Sequence, residues 1–173
     1  MAELSPPPPR GGARPLTAAL AVAAVLGASA LLGRRNAPDP SHPGIARWYR
    51  GLSKPPFTPP EPVFGAVWPV LETATAAGGY RLLRQPPSPA RTGALGLWLV
   101  TSAMVGGWTE LFFRRHALGA STAAAGAMTA SAAGYVAAAA RVDRPAALLG
   151  APLALWLGFA TVLADGVRRR NER

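Results

Sequence analysis

The sequence predicts an all-α fold, a polytopic membrane protein whose five transmembrane helices form a bundle. Half of the 173 residues are hydrophobic, and they gather in blocks of about 20, the length that crosses a hydrocarbon core of roughly 30 Å. The 18 Lys and Arg residues fall almost wholly between these blocks. The net charge of +10 therefore indicates membrane topology and not a nucleic-acid surface, where cations cluster on a soluble face.

The composition also excludes several kinds of functional site. The chain has no cysteine, which rules out disulfides, a thiol nucleophile and Cys-ligated metal. The two histidines, His42 and His116, both fall in predicted loops, so no metal site is expected. No set of nucleophile, base and orienting residue is visible. A function without catalytic residues is therefore favoured over an enzyme.

The N-terminal part of the chain allows two interpretations. Residues 1–15 are rich in Pro, Gly and Arg, a composition typical of a disordered tail. The first apolar block, residues 16–32, is predicted to be a transmembrane helix. Because Arg10 and Arg14 precede this block and Ala28-Ser29-Ala30 lies near its end, a cleavable signal peptide is the alternative.

Residues 47–60 are predicted to form a stiff, extended loop. Four prolines in this segment each fix φ and remove a backbone N–H, which disfavours a helix: Pro55, Pro56, Pro59 and Pro60. A second helix is expected over residues 62–83, since Pro62 suits a first helical turn and Glu61 favours the positive helix end. A rigid loop that leads into an aromatic-lined membrane helix predicts the lid of an intramembrane pocket.

Glu72 lies near the middle of the second apolar block, on one helix face with Phe64 and Trp68. Acidic residues inside membrane spans are costly and commonly functional. We therefore predict that Glu72 anchors a cationic or hydrogen-bonding ligand or relays a proton. The alternative is a protonated carboxyl group bonded to a neighbouring helix.

The remaining three helices are predicted over residues 93–113, 118–140 and 146–164, and a basic tail follows over residues 168–173. In the alanine-rich fourth block, three glycines share one side and predict a close approach of a neighbouring helix: Gly119, Gly126 and Gly134. The acids near the helix ends are interpreted as structural partners of nearby arginines: Glu110 with Arg114, and Asp165 with Arg168 and Arg169.

Two aromatic stripes lie in the third and fifth blocks. Trp108 shares a helix face with Phe112, and Trp156 shares one with Phe159. Such stripes form core packing or a stacking surface for a flat aromatic ligand such as a tetrapyrrole. Both interpretations are open from the residues alone.

The distribution of charge predicts the orientation. Eleven of the 18 Lys and Arg residues fall on the side of the long loop and the C-terminus, and seven fall on the N-terminal side. The excess of cations on cytoplasmic loops predicts that the long loop and the C-terminus are cytoplasmic.

Three motifs carry a resemblance to a known family. The first is Trp48-Tyr49-x-x-Leu52-x-Lys54-Pro55-x-Phe57-x-Pro59-Pro60-x-x-Val63-Phe64-x-x-x-Trp68-x-x-Leu71. The others are Trp108-Thr109-x-Leu111-Phe112-Phe113 and Pro152-x-x-x-Trp156-x-x-Phe159-Ala160-x-x-Leu163. Over nearly all of the chain after the tail, the sequence resembles the TspO/MBR family, the tryptophan-rich sensory proteins related to the mitochondrial translocator protein.

The resemblance implies a five-helix membrane domain over residues 16–167, commonly a homodimer, with a pocket under the first loop. The family binds porphyrins such as haem and protoporphyrin as ligands, with no cofactor required. Lys54 or Arg47 would meet ligand carboxylates. The expected ligand-binding residues are Arg47, Trp48, Lys54, Phe57, Phe64, Trp68, Glu72, Trp108, Phe112, Trp156 and Phe159. The alternatives are an enzyme of light-dependent porphyrin degradation and a proton-coupled transporter component that uses Glu72.

The chain departs from the family pattern at several positions that the resemblance assigns to the pocket. Usual aromatic, amide or proline residues are replaced by Pro56, Glu72, Val105, Glu110, Thr129 and Ala164. The pocket would lose polar and aromatic groups and gain one acid. The resemblance thus implies a retained scaffold with an altered pocket.

Overall fold

The computed structural model describes residues 11–172, and within that range the chain is helical and has no strand. The predicted all-α class is confirmed. Residues 1–10 of the predicted tail lie outside the described residues. The elements are α1 (Pro15–Asn36), α2 (Pro43–Gly51), α3 (Glu61–Arg84), α4 (Pro89–Thr109), a π-helical turn (Glu110–Arg114), α5 (Leu118–Ala140) and α6 (Arg144–Asn171).

Proline starts most of the helices. α1, α2, α3, α4 and α6 each carry Pro in the first two helical positions, where the missing N–H has no intrahelical partner to lose. α4 begins at Pro89 and not at residue 93, because the Ser88 side chain accepts a hydrogen bond from the Arg91 N–H at 3.1 Å. Asp143 caps α6 in the same way, with Oδ1 2.8 Å from the Ala146 N–H.

The prediction of an extended loop over residues 47–60 was wrong for residues 47–51, which form the last part of α2. The prolines that prevent a helix begin only at Pro55, and Pro43 occupies the first turn of α2, where it favours one. Residues 52–60 are non-helical as predicted. The loop contains a turn, in which the Thr58 N–H donates to the Pro55 carbonyl at 3.0 Å.

α6 continues to Asn171, beyond the predicted end at residue 164. The predicted partners of Asp165 support this extension. Its carboxylate lies 2.7 Å from Arg168 and 2.6 Å from Arg169, at i+3 and i+4. Cations in the last turn also interact favourably with the helix dipole.

The bundle is centred on α5 and α6, which share its most extensive interface. The predicted glycine seam of α5 faces two helices: Gly126 lies opposite Thr161 of α6, and Gly134 lies opposite Leu97 of α4. The closest approach involves Tyr135, which is fully buried on α5. Its ring lies directly against Gly150 of α6, and its hydroxyl donates to the Ala146 carbonyl at 3.2 Å.

Among the described helices, α1, α5 and α6 are long and apolar enough to cross a membrane. α3 and α4 contain 24 and 21 residues, a sufficient length for a crossing, but neither has an 18-residue stretch as hydrophobic as those of α1, α5 and α6. The predicted count of five spans therefore stays a prediction with respect to α3 and α4.

Candidate ligand-binding site

The structure distributes most of the predicted site residues over three places. One is an aromatic group at the π-helical turn, here called the π-turn cluster: Trp48, Tyr49, Trp108, Phe112, Phe113 and His116. A second, the loop cluster, joins the loop to α3 and α6: Phe57, Phe64, Trp156 and Phe159. The third is a cavity that contains Glu72.

The rings of the π-turn cluster pack mainly against one another. Trp108 stacks on Phe112 at a centroid distance of 4.8 Å, and Trp48 meets Phe112 edge-on at 5.5 Å. Trp48 also stacks on His116 at 4.0 Å. The Trp108 Nε1–H donates to the Ser121 carbonyl at 2.8 Å. One ring face of Trp108 and one of Phe112 are therefore covered by the other residue, and the Trp108 indole N–H already has a hydrogen-bond partner.

The π-helical turn is held by the end of α1. Asn36 is fully buried, accepts from Arg114 Nε at 2.6 Å and donates to Thr109 Oγ1 at 2.9 Å. As predicted, Glu110 also lies near Arg114, at 3.9 Å. π-turns insert one extra residue per turn and occur frequently at functional sites. This one supports the packed π-turn cluster.

The loop cluster is more open. Phe57 from the loop is half exposed and meets Phe159 edge-on at 6.4 Å. Phe64 of α3 meets Trp156 of α6 at 5.9 Å, and Trp156 lies 5.3 Å from Phe159. Within residues 11–172, the buried Trp156 Nε1–H has no hydrogen-bond partner. Trp68 packs against the same apolar core as Trp156.

The two predicted cationic contacts differ in their surroundings. Lys54 Nζ donates to the Tyr49 carbonyl at 2.6 Å and lies 4.3 Å from the Tyr49 ring centroid, an arrangement that adds a cation–π interaction. A ligand carboxylate would have to compete with these contacts. Arg47 is exposed on α2.

Glu72 lies apart from the aromatic clusters. Its Oε1 accepts a hydrogen bond from Ser29 Oγ of α1 at 2.9 Å. It lines a cavity of about 20 Å³ whose walls contain none of the other predicted site residues. The walls are formed by Val25, Leu26, Ser29, Thr75, Ala76, Trp98, Ser102, Val105 and Leu153.

Sequence reasoning missed the polar groups around Glu72. Thr75 lies three residues from Glu72, a spacing that indicates a shared helix face. Ser29 is 43 residues away, and no sequence pattern connects an α1 serine to an α3 acid. Trp98, in the third apolar block, was not among the predicted ligand contacts.

Outside the predicted site, a cluster of hydrogen-bonded polar side chains joins the C-terminal end of α3 to the start of α6. Arg81 donates to both carboxylate oxygens of Asp143, at 2.9 and 3.1 Å, and Gln85 donates to Oδ2 at 2.7 Å. The Arg81 guanidinium holds the pKa of Asp143 below its usual value. With Tyr80 and Arg84, these residues line a surface cavity of about 140 Å³.

Comparison with known proteins identifies similar chains. A sequence model of the TspO/MBR family matches residues 17–169. The translocator protein of Homo sapiens is 32% identical over 128 residues, which cover 73% of this chain and 76% of that protein. The translocator protein of Sus scrofa is 28% identical over 127 residues, which cover 72% of this chain and 75% of that protein. The translocator protein of Bos taurus matches over 75 residues at 31% identity, 42% of this chain and 44% of that protein.

Proposed function

This chain belongs to the TspO/MBR family, and we propose that it binds a hydrophobic or tetrapyrrole ligand, such as a porphyrin or haem, between its helices beneath residues 47–60. The chain is an integral membrane protein, given this family and the apolar helices α1, α5 and α6. The proposal places the ligand at the loop cluster, where rings of α3 and α6 meet the half-exposed Phe57 of the loop.

The observation that carries this proposal is the indole group of Trp156. A buried N–H without a partner is unfavourable because it has lost its hydrogen bonds to water. An acceptor atom on a bound ligand would restore that bond. The neighbouring rings of Phe64 and Phe159, 5.9 and 5.3 Å from Trp156, offer edges and faces to a flat aromatic molecule.

The loop supplies a cover whose first part is fixed on α6. Pro55 is buried, and its ring packs against Gly166 of α6, where an added Cβ would come within 2.7 Å of Pro55 Cγ. Phe57, two residues further, is 50% exposed. In the proposed mechanism, Phe57 moves to admit the ligand and Pro55 holds the loop in place.

Titration with protoporphyrin tests the site. Trp156→Phe removes the indole N–H, and we expect it to weaken binding by about tenfold, which corresponds to about 1.4 kcal/mol. The affinity is read from the porphyrin absorption band, because the variant also changes the tryptophan fluorescence. Trp98→Phe is the matched control, since Trp98 also has a buried, unpartnered Nε1 within the described residues but lines the Glu72 cavity.

Two outcomes would contradict the proposal. One is that micromolar protoporphyrin leaves the spectrum of the unaltered protein unchanged. The other is that Trp98→Phe weakens binding as much as Trp156→Phe, which would remove the loop cluster from the site. Illumination of the complex distinguishes binding from light-dependent porphyrin degradation, since only degradation by the protein would bleach the porphyrin band faster than light bleaches free porphyrin.

The same proposal includes five membrane spans, formed by α1, α3, α4, α5 and α6, with the long loop and the C-terminus in the cytoplasm. Large apolar side chains on the outer faces of α3 and α4 support the count, with Val70 67%, Leu99 48% and Val100 50% exposed. The excess of cations on the loop side supports the orientation.

Cysteine labelling tests this arrangement, because the chain has no native cysteine. Arg47→Cys and Arg170→Cys replace exposed residues on the proposed cytoplasmic side, and Arg141→Cys replaces one on the opposite side. An impermeant maleimide added outside cells should label only Arg141→Cys. Labelling of Arg170→Cys under the same conditions would refute the orientation. Cross-linking in membranes tests the homodimer that the family resemblance implies.

A further inference from the structure

The cavity beside Glu72 is small and is lined in part by polar side chains, and we infer that it binds a single water molecule held by Glu72, Thr75 and Trp98. Its volume is about 20 Å³. A site needs about 10–15 Å³ of such volume to hold one water. The cavity is therefore large enough for one water molecule and too small for a porphyrin.

Two buried polar atoms without partners belong to residues that line this cavity. Within the described residues, Thr75 Oγ1 and Trp98 Nε1 make no hydrogen bond. Thr75 and Trp98 are each only 3% exposed, and both line the cavity. Because buried polar groups are nearly always paired with protein or with ordered water, two such groups at one small cavity indicate a shared polar ligand.

The donors and acceptors match the chemistry of water. The Trp98 indole N–H is a donor only, so the ligand must accept a hydrogen bond, which a metal cation cannot do. Glu72 uses Oε1 to accept from Ser29 at 2.9 Å, which leaves Oε2 to accept from the ligand. A water oxygen accepts from Trp98, and its two hydrogens donate to Glu72 and to the Thr75 hydroxyl. Buried waters typically make about three such bonds.

The bound water extends the Ser29–Glu72 hydrogen bond into a network that connects three helices. Ser29 lies on α1, Glu72 and Thr75 lie on α3, and Trp98 lies on α4. Ser102 of α4 also lines the cavity, but its hydroxyl already donates to the Trp98 carbonyl at 2.9 Å. The water thus joins α4 to the contact between α1 and α3, independently of ligand binding at the loop cluster.

Nuclear magnetic resonance of the full chain in detergent micelles tests the site. The indole ¹⁵N–H group of Trp98, assigned by its disappearance in Trp98→Phe, should show a nuclear Overhauser effect to a long-lived water molecule. The indole of Trp108, whose N–H is bonded to the Ser121 carbonyl, should show none and serves as the control within the same sample. Absence of the Trp98 signal would overturn the inference.

Substitutions of Thr75 test whether its hydroxyl is part of the water site. Thr75→Val removes the hydroxyl at nearly constant shape, and we expect loss of the cross-peak. Thr75→Ser retains the hydroxyl and should retain the peak, and an undiminished peak in Thr75→Val would contradict the assignment. A crystal structure of the unaltered chain is a second measurement: one density peak within hydrogen-bond distance of Glu72, Thr75 and Trp98 supports the site, and a cavity closed by side chains refutes it.

Discussion

Asn171 at the end of α6 and Ser53 in the loop exchange two hydrogen bonds. The Ser53 N–H donates to Asn171 Oδ1 at 3.0 Å, and Asn171 Nδ2 donates to the Ser53 carbonyl at 3.0 Å. The amide side chain thereby pairs with the loop backbone much as a neighbouring strand would. Together with the contact between Pro55 and Gly166, this pairing fixes the start of the loop on the last turns of α6.

We expect Asn171→Ala to loosen the loop. The variant removes both hydrogen bonds to the loop backbone, each worth about 1 kcal/mol, so the population of the open loop should rise by about tenfold or more. Amide hydrogen exchange at Ser53 should accelerate accordingly while exchange in α5 stays unchanged. Arg170→Ala, which alters an exposed neighbour, is the control and should leave exchange at Ser53 as it was. Equal exchange in all three proteins would show that the pairing does not hold the loop.

Gly150→Ala should destabilise the bundle because the Tyr135 ring occupies the space of the added methyl group. Overpacking of this kind costs about 1–3 kcal/mol, which exceeds the gain of about 1 kcal/mol from alanine in a helix. Gly126→Ala is the matched control: its nearest neighbour is Thr161 Cγ2 at 4.0 Å. In thermal unfolding measured in detergent, Tm should therefore be lower for Gly150→Ala than for the unaltered protein. For Gly126→Ala it should be unchanged or higher. The opposite order would contradict the close packing around Tyr135.

Asn36→Ala should weaken the attachment of α1 to the π-helical turn. The substitution removes the hydrogen bonds of Asn36 to the Thr109 hydroxyl and the Arg114 guanidinium, each worth about 1 kcal/mol. Thr109 keeps its bond to the Gly106 carbonyl and Arg114 keeps its bond to the Arg35 carbonyl. Limited proteolysis should cut earlier near residue 36, and Tm should fall. Arg34→Ala removes an exposed side chain from the same helix end and should have little effect on either measurement.

Asp143→Asn should remove a pH-dependent part of the stability. Hydrogen bonds from Arg81 hold the pKa of Asp143 below its usual value in the folded chain, whereas in the unfolded chain the pKa is about 3.9. The carboxylate therefore stabilises the fold above pH 4 or so, and this contribution is lost as the pH falls through the lower folded-state pKa. Asparagine still caps α6 but makes no ion pair.

The difference in Tm between the unaltered protein and Asp143→Asn is the measurement. It should be largest near neutral pH and shrink as the solution is acidified below about pH 4. Taking the difference cancels the titration of the other acids. A gap that stays constant with pH would mean that the ion pair with Arg81 does not contribute to stability.

Helix positions follow from local rules and were largely predictable. Prolines such as Pro89, together with caps such as Ser88 and Asp143, determine where helices begin. α2 was missed because the prolines that follow it dominated the interpretation, although the first of the four is Pro55 and α2 ends at Gly51. Proline restricts its own residue and the preceding one, so it carries no information about a helix that ends several residues earlier.

The site was less predictable, because its geometry depends on contacts between distant segments. Phe64 and Trp156 were both predicted as ligand contacts, and the structure brings them together at 5.9 Å. Glu72 was assigned to the same pocket because it shares a helix face with Phe64 and Trp68. The pairing with Ser29 instead places Glu72 in a separate cavity, and periodicity within one helix cannot show which neighbour that helix will meet.

The two polar attachments of α1 have a further consequence. Ser29 bonds to Glu72 and Asn36 bonds to Thr109 and Arg114. The two residues are seven positions apart, which places them on the same side of the helix after two turns. Hydrophobicity alone would let many unrelated apolar segments replace α1 as an anchor in lipid. Only a segment that presents both hydrogen-bonding groups at that interval would dock in the correct rotational and axial position.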